Sequence, residues 1–383
     1  MNSINWLSKF EKHPLFSTLQ DSLITDEKLV LKGHKGSFLN VLMAALQVKK
    51  ARKQLIIAND QEEAAYIYND IQNLLGETKA LYYPSSSTSP YETSRVQNAN
   101  IVQRAEVLSE LNDNKKKFIV TYPEALLEKV ITKKELTKNS HKIKVGDNLS
   151  MDFLIDILFE YEFTREQFVV EPGQFAVRGG LLDIWSYSYD KPFRMEFFGD
   201  EIDSIRAFDP SNQLSIAKYE HIQIVPNVQE NIIQEEKTSF IEFLGISSIV
   251  WIRDVQFTLD KTEHFYKKAV DAWSKIKKES IQRPPNEIYL PKKELQELMK
   301  NAKVIEYGGR KFYPESTTLN FNTLPQPNFN KNFRLLIDDL KNNKSINHEV
   351  NIISDNPKQI ERIHSIFEDH EDTNQENISF TPQ

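Results

Sequence analysis

Apolar positions in the first third of the chain follow two alternating periods. Short apolar runs, KLVLK (28–32), KQLIIA (53–58), KALYYP (79–84) and KKFIVTYP (116–123), have the length and bounding residues of strands. Between them the apolar residues recur every three or four positions, as on one face of a helix. GSFLNVLMAALQVKK (36–50), DQEEAAYIYNDIQNLL (60–75), SRVQNANIVQRAEVLSEL (94–111) and EALLEKVI (124–131) are the helices so predicted. Asp60 is placed to cap the second of them. Residues 1–28 read as one or two short amphipathic helices. Strand–helix units repeated with short, wholly apolar strands predict a parallel sheet covered on both faces.

The pattern changes at about 132. A polar, Lys-rich stretch leads to a helix over MDFLIDILFEYEF (151–163), then to three strand-like runs over 167–187, 191–199 and 200–210. Gly, Pro and Asp punctuate these runs as they do antiparallel hairpins. From HIQIVP (221–226) the strand–helix alternation resumes. A helix over 236–245, the strand SSIVWIRD (247–254) and a helix from about 258 to 278 follow, then a Pro-marked connection RPPNEIYLPKKEL (283–295). NFNTLPQPNFNKNF (320–333) reads as an ordered loop or linker. The boundaries read from this are residues 1–130 for the first part of an α/β domain and 131–220 for a small α+β insertion. Residues 221–340 form the second part of the α/β domain, and 341–383 a linker with the start of a truncated strand–helix unit.

Composition narrows the chemistry. The 383 residues exceed what a single core usually organises, so more than one domain is expected. Cys is absent, which excludes disulfides, thiolate nucleophiles and Cys-held zinc, and fits a reducing cytoplasm. The eight His form no HxH or HxxxH pair, which argues against a His-based metal site. No apolar run is long enough for a transmembrane helix, and the N-terminus lacks the pattern of a secretory signal, so no membrane association is expected. Net charge is −7, and KKARK (49–53) and NKKKF (114–118) are too short for a basic stripe. Weak or no direct nucleic-acid binding is the expectation.

LKGHKGSFLNVLMAAL (31–46) opens like a phosphate-binding loop. Gly33, Gly36 and Ser37 could shape a cradle of backbone N–H groups, but a working loop also needs a Lys for the outer phosphates and a hydroxyl for Mg²⁺. Those two positions hold Leu39 and Asn40. Lys35 lies inside the loop, where it is aimed differently. The best candidate for the partner acidic pair ends IVWIRD (249–254), where Arg253 stands in the metal-holding position beside Asp254, and a cation there repels Mg²⁺. LLIDDL (335–340) is a second acidic pair, but its flanks are helical. Strand, turn and helix are therefore expected to survive for packing, without catalysis.

RGGLLDIW and PFRMEFFGDEIDSIRAFD, within 175–210, resemble the second domain shared by the excision-repair protein UvrB and the transcription-repair coupling factors (Mfd). The degenerate loop at 33–40, TYPEALLEKV (121–130) and RPPNEIYLPKKEL carry weaker similarity. The resemblance implies a degenerate helicase-like (RecA/P-loop-type) parallel-sheet domain interrupted by an α+β insertion. UvrB-like proteins insert an aromatic-rich, DNA-clamping hairpin after the first helices, and YYPSSSTSPYETSRVQ (82–97) is too short for one. Tyr82, Tyr83 and Tyr91 are then expected to pack rather than stack on bases. The combined losses resemble the N-terminal module of a coupling factor. For such a module the resemblance implies no catalysis and no cofactor, with ATP and Mg²⁺ used only by motor domains outside this chain. It implies UvrA as partner, RNA polymerase and DNA as partners of those other parts, and an autoinhibitory contact with the motors. The alternative is an active UvrB-like ATPase acting on damaged DNA. By the same resemblance Arg178, Arg194 and Phe198 contact UvrA. Strand alternation in FRMEFF supports the last two, with Phe193, Met195 and Phe197 on a core face and Arg194, Glu196 and Phe198 on the other. Counting assigns no face to Arg178, because Gly179–Gly180 follows it.

Overall fold

The computed structural model describes residues 3–87, 89–91, 98–112, 115–227, 236–245, 247–276, 283–330, 332–345, 348, 350–354, 356–368 and 378–382. The start of the helix expected over 94–111 and the end of that expected over 258–278 fall outside these residues. In chain order the strands that matter here are β1 (Lys28–Lys32), β2 (Gln54–Ile57), β3 (Ala80–Tyr82) and β4 (Phe118–Thr121). Next come β5 (Thr164–Arg165), β6 (Gln174–Arg178), β7 (Leu181–Ile184), β8 (Phe193–Phe198), β9 (Glu201–Phe208) and β10 (Ser215–Tyr219), and finally β11 (Ile249–Ile252), β12 (Lys303–Glu306) and β13 (Thr317–Asn320).

The α/β sheet has the order β13-β1-β12-β11-β2-β4-β3, with every pairing parallel. β2, β4 and β11 are buried at every residue, as their unbroken apolar runs require. Helices Phe38–Lys49, Gln61–Leu75, Asn98–Asn112 and Val255–Ser274 join this sheet in sequence. Asp60 caps the second of these by accepting from the Glu63 N–H at 2.9 Å. The last starts at Val255, ahead of where its apolar spacing suggests, because Asp254 caps it by accepting from the Phe257 N–H at 2.9 Å. The α/β core runs from Leu7 to Phe321 in sequence and draws on strands from both sides of the insertion.

The insertion forms a second sheet, β10-β9-β8-β7-β6-β5, antiparallel except for the short β5–β6 pair. The three strand-like runs hold four of these six strands, and β5 and β10 lie outside them. Gly179–Gly180, with Gly179 at φ +59°, folds the first run into the β6–β7 hairpin. β5 has only two residues, and all five residues of β10 are exposed, so neither leaves an alternating pattern to read. Phe175, Leu182, Ile184, Phe193, Met195, Ile202 and Ile205 face a helix, Met151–Glu160, whose Leu154, Ile157 and Leu158 complete a separate core. Strand His221–Ile224 pairs antiparallel with His141–Lys144, and its Ile222 and Ile224 join this second core. It therefore packs with the insertion although it lies past residue 220. Tyr187 touches both cores, and Gly173, at φ +83°, leaves room for its ring where any Cβ would collide.

Candidate partner-binding surface

At the carboxyl end of β1 the turn of a phosphate loop is kept. Gly33 and Gly36 have φ of +72° and +56°, and helix Phe38–Lys49 follows with Ser37 at its N-cap position. The chemical positions are otherwise committed. Leu39 is buried in the α/β core. The Asn40 amide donates to Asp70 Oδ2 at 2.6 Å and ties this helix to the next. The Gly33 carbonyl accepts from the N–H and hydroxyl of Thr323 at 2.7 and 3.0 Å, and a side chain on Gly33 would run into Asn320. At the end of β11, Arg253 donates to Glu63 Oε1 at 2.8 Å, while Asp254 is used as the helix cap. The loop offers neither a lysine at the helix start nor a free carboxylate at the metal position, so its residues do not fit a Mg²⁺-bound nucleotide.

Of the tyrosines near the shortened hairpin region, Tyr83 is fully buried. It stacks on Phe240 with centroids 3.9 Å apart, under the buried Arg104 guanidinium at 4.3 Å. Tyr82 packs against Tyr68, and the Tyr91 hydroxyl donates to the Arg283 carbonyl.

The insertion's outer face is differently built. Cross-strand register sets Ala176, Asp183, Arg194, Arg206 and Lys218 in one row across β6–β10. The next row is Arg178, Leu181, Glu196 and Ser204. Directly opposed residues share a face, so Arg178 lies on the same side as Arg194. The side chains meet at Asp183, which has no solvent exposure. Arg194 holds it with both prongs, Nε to Oδ1 at 2.7 Å and Nη2 to Oδ2 at 2.8 Å, and Arg178 Nη2 donates to Oδ2 as well. These bonds to Asp183 raise the Arg194 pKa further above its ordinary value. Arg194 also lies over the Phe208 ring at 4.7 Å, and Arg178 over Phe168 at 5.2 Å. Glu196 is neutralised by Arg206 at 2.7 Å.

Phe198 stands apart from this network. It ends β8 at the Gly199–Asp200 turn, with Gly199 at φ +64°, and is 84% exposed. It does not tuck against that turn. Along β8 the burial alternates from Phe193 to Phe198 as the sequence pattern predicts. Arg194 is less open than a free charged face implies, because its side chain is only 15% exposed. Sequence reasoning passed over Asp183, the residue that joins the two arginines. Its one signal was an acid inside the apolar run LLDIW, on the face opposite Leu182 and Ile184.

The fold defines a helicase-like α/β scaffold that carries a separate small sheet domain. Residues 142–229 match the family of the UvrB interaction domain. The chain is similar to transcription-repair-coupling factors, among them those of Bacillus subtilis strain 168 (30% identity over 56% of this chain), Myxococcus xanthus (29% over 58%) and Escherichia coli K12 (26% over 52%). The matched part spans 18%, 19% and 17% of those relatives, respectively.

Proposed function

We propose that this chain is a non-catalytic recruitment module, which captures UvrA during transcription-coupled nucleotide excision repair. In this reading, RNA polymerase and DNA are engaged by other parts of a longer coupling factor, which also supply its ATP-dependent translocation. Contacts with those parts mask the UvrA surface until they move. The observation that carries the reading is Phe198, a large aromatic with 84% of its surface in solvent, at the end of the strand whose outer face carries Arg194, with Arg178 on the same face of the sheet and both arginines held by Asp183. An exposed aromatic that shares a sheet face with oriented guanidinium groups has the composition of an interface hot spot. Commitment of Leu39, Asn40 and Arg253 to packing and ion pairs supports the absence of catalysis.

Titration of UvrA against the wild-type chain and Phe198→Ala tests this. The truncation is expected to cost on the order of 2 kcal/mol or more, roughly thirtyfold in affinity. Undiminished binding overturns the assignment. Calorimetry with ATP and Mg²⁺ separates it from the UvrB-like ATPase alternative: no metal-dependent binding is expected, and a clear affinity would reverse the reading of Leu39 and Arg253.

A further inference from the structure

The loop between β5 and β6 crosses the outer face of the insertion sheet. Val169 is fully buried there against Ala176 and Phe208, while its neighbours Phe168 and Val170 are 52% and 53% exposed. The loop is held in place. Glu166 N–H donates to the Phe175 carbonyl at 2.8 Å, and the N–H groups of Val170 and Glu171 both donate to Gln174 Oε1, at 2.9 and 3.0 Å. A pinned loop that keeps two apolar side chains in water gains no core packing from them. The ring of Phe168 lies under the Arg178 guanidinium, which fixes that cation from one side while Asp183 fixes it from the other.

The loop packs Val169 on Ala176 and Phe208, and the row Arg178, Leu181, Glu196 and Ser204 stays half-exposed. Phe168 borders this strip at the Arg178 end, and Phe198 lies beyond its Glu196 side, at the hairpin tip. Charges along the strip do not cancel. Glu196 is matched by Arg206, but Arg178 and Arg194 share the single carboxylate of Asp183, so that three-residue cluster carries one net positive charge. We propose that Phe168 is a second aromatic anchor of the recruitment surface, and that the strip between the two rings takes a partner segment with an acidic side chain flanked by apolar ones. This rests on the recruitment reading above and names the chemistry that the surface selects. The arginine pair meets the carboxylate, and the rings at either border cover the flanking apolar groups.

The test titrates UvrA onto the immobilised chain carrying Phe168→Ala, Phe168→Tyr or Phe198→Ala. Phe168→Ala is expected to weaken binding at least tenfold, with thermal unfolding shifted little because the ring is half in water. Phe168→Tyr keeps the ring and its stacking, and is expected to stay within threefold of wild type. Loss of binding by Phe198→Ala with Phe168→Ala within twofold of wild type overturns the second anchor alone. If Phe198→Ala binds as wild type does, the recruitment reading fails, and this proposal fails with it.

Discussion

Asp183 has lost all contact with water, and such a carboxylate is tolerable only where hydrogen-bonded cations replace its solvent. Three guanidinium N–H groups do so, two from Arg194 and one from Arg178. Arg194 therefore serves the fold as well as the surface, and its truncation cannot leave the fold untouched. Arg194→Ala strips Asp183 of its two-pronged partner and is expected to destabilise the chain by about 2–3 kcal/mol, somewhat below the cost of leaving a buried charge wholly unpaired. Phe198→Ala, at an exposed tip, is expected to stay within about 0.5 kcal/mol of wild type. Urea denaturation of the two variants beside the UvrA titration separates a lost contact from a weakened fold, and equal stabilities would refute the structural role of Arg194. The faces of Arg194 and Phe198 were legible in FRMEFF because alternation is a property of one strand. The arginine–carboxylate network was not, because it depends on the register between strands, which no single strand encodes.

The strand–turn–helix at 28–49 illustrates how an element outlasts its chemistry. Its glycines keep the left-handed turn, while Leu39 and Asn40 tie the helix to the core and to Asp70. Restoring the residues of a working loop should consequently do harm without gain. Leu39→Lys combined with Asn40→Thr is expected to cost roughly 2–4 kcal/mol, from a charge at a buried site and a lost side-chain bond. No Mg²⁺-dependent ATP binding should appear, since Arg253 and Glu63 remain paired. Chemical denaturation and calorimetry on the double variant check both halves, and ATP binding by a stable variant would refute the expectation. Turn and helix were readable from the glycine spacing and apolar run. That Thr323, nearly three hundred residues further on, closes the loop was not, because β13 reaches β1 only through the tertiary fold.

Over the whole molecule, two cores meet at Tyr187, and the hydroxyl of Ser186 links β7's exit to the returning chain through the N–H of Val225 at 2.9 Å. Inside the larger core, Glu306 ends β12 as a buried carboxylate. Burial pushes its pKa up, hydrogen bonds from the N–H groups of Phe312 and Tyr313 offset this in part, and Asp254 pushes the same way as burial. An acid that ionises less readily in the fold than in the unfolded chain makes stability fall as pH rises above its unfolded value of about 4.3. Glu306→Gln is expected to remove that decline, so the variant gains on wild type between pH 4 and pH 7. Urea midpoints that differ equally at both pH values would refute the effect. Alternating elements and a punctuated insertion made the fold class legible. The order of the sheet was hidden, because parallel strands carry no mark of their neighbours.

That order also constrains how the chain is assembled. β12 and β11, translated after Ile249, lie between β1 and β2, which are finished by Ile57. The first strands to leave a ribosome thus have a gap between them that cannot close until the insertion has been made. The sheet from β6 to β10 is a meander of neighbouring strands, whose pairings are near in sequence, the kind that form fastest. During synthesis the meander of the insertion can then pair while the α/β sheet still waits for its central strands.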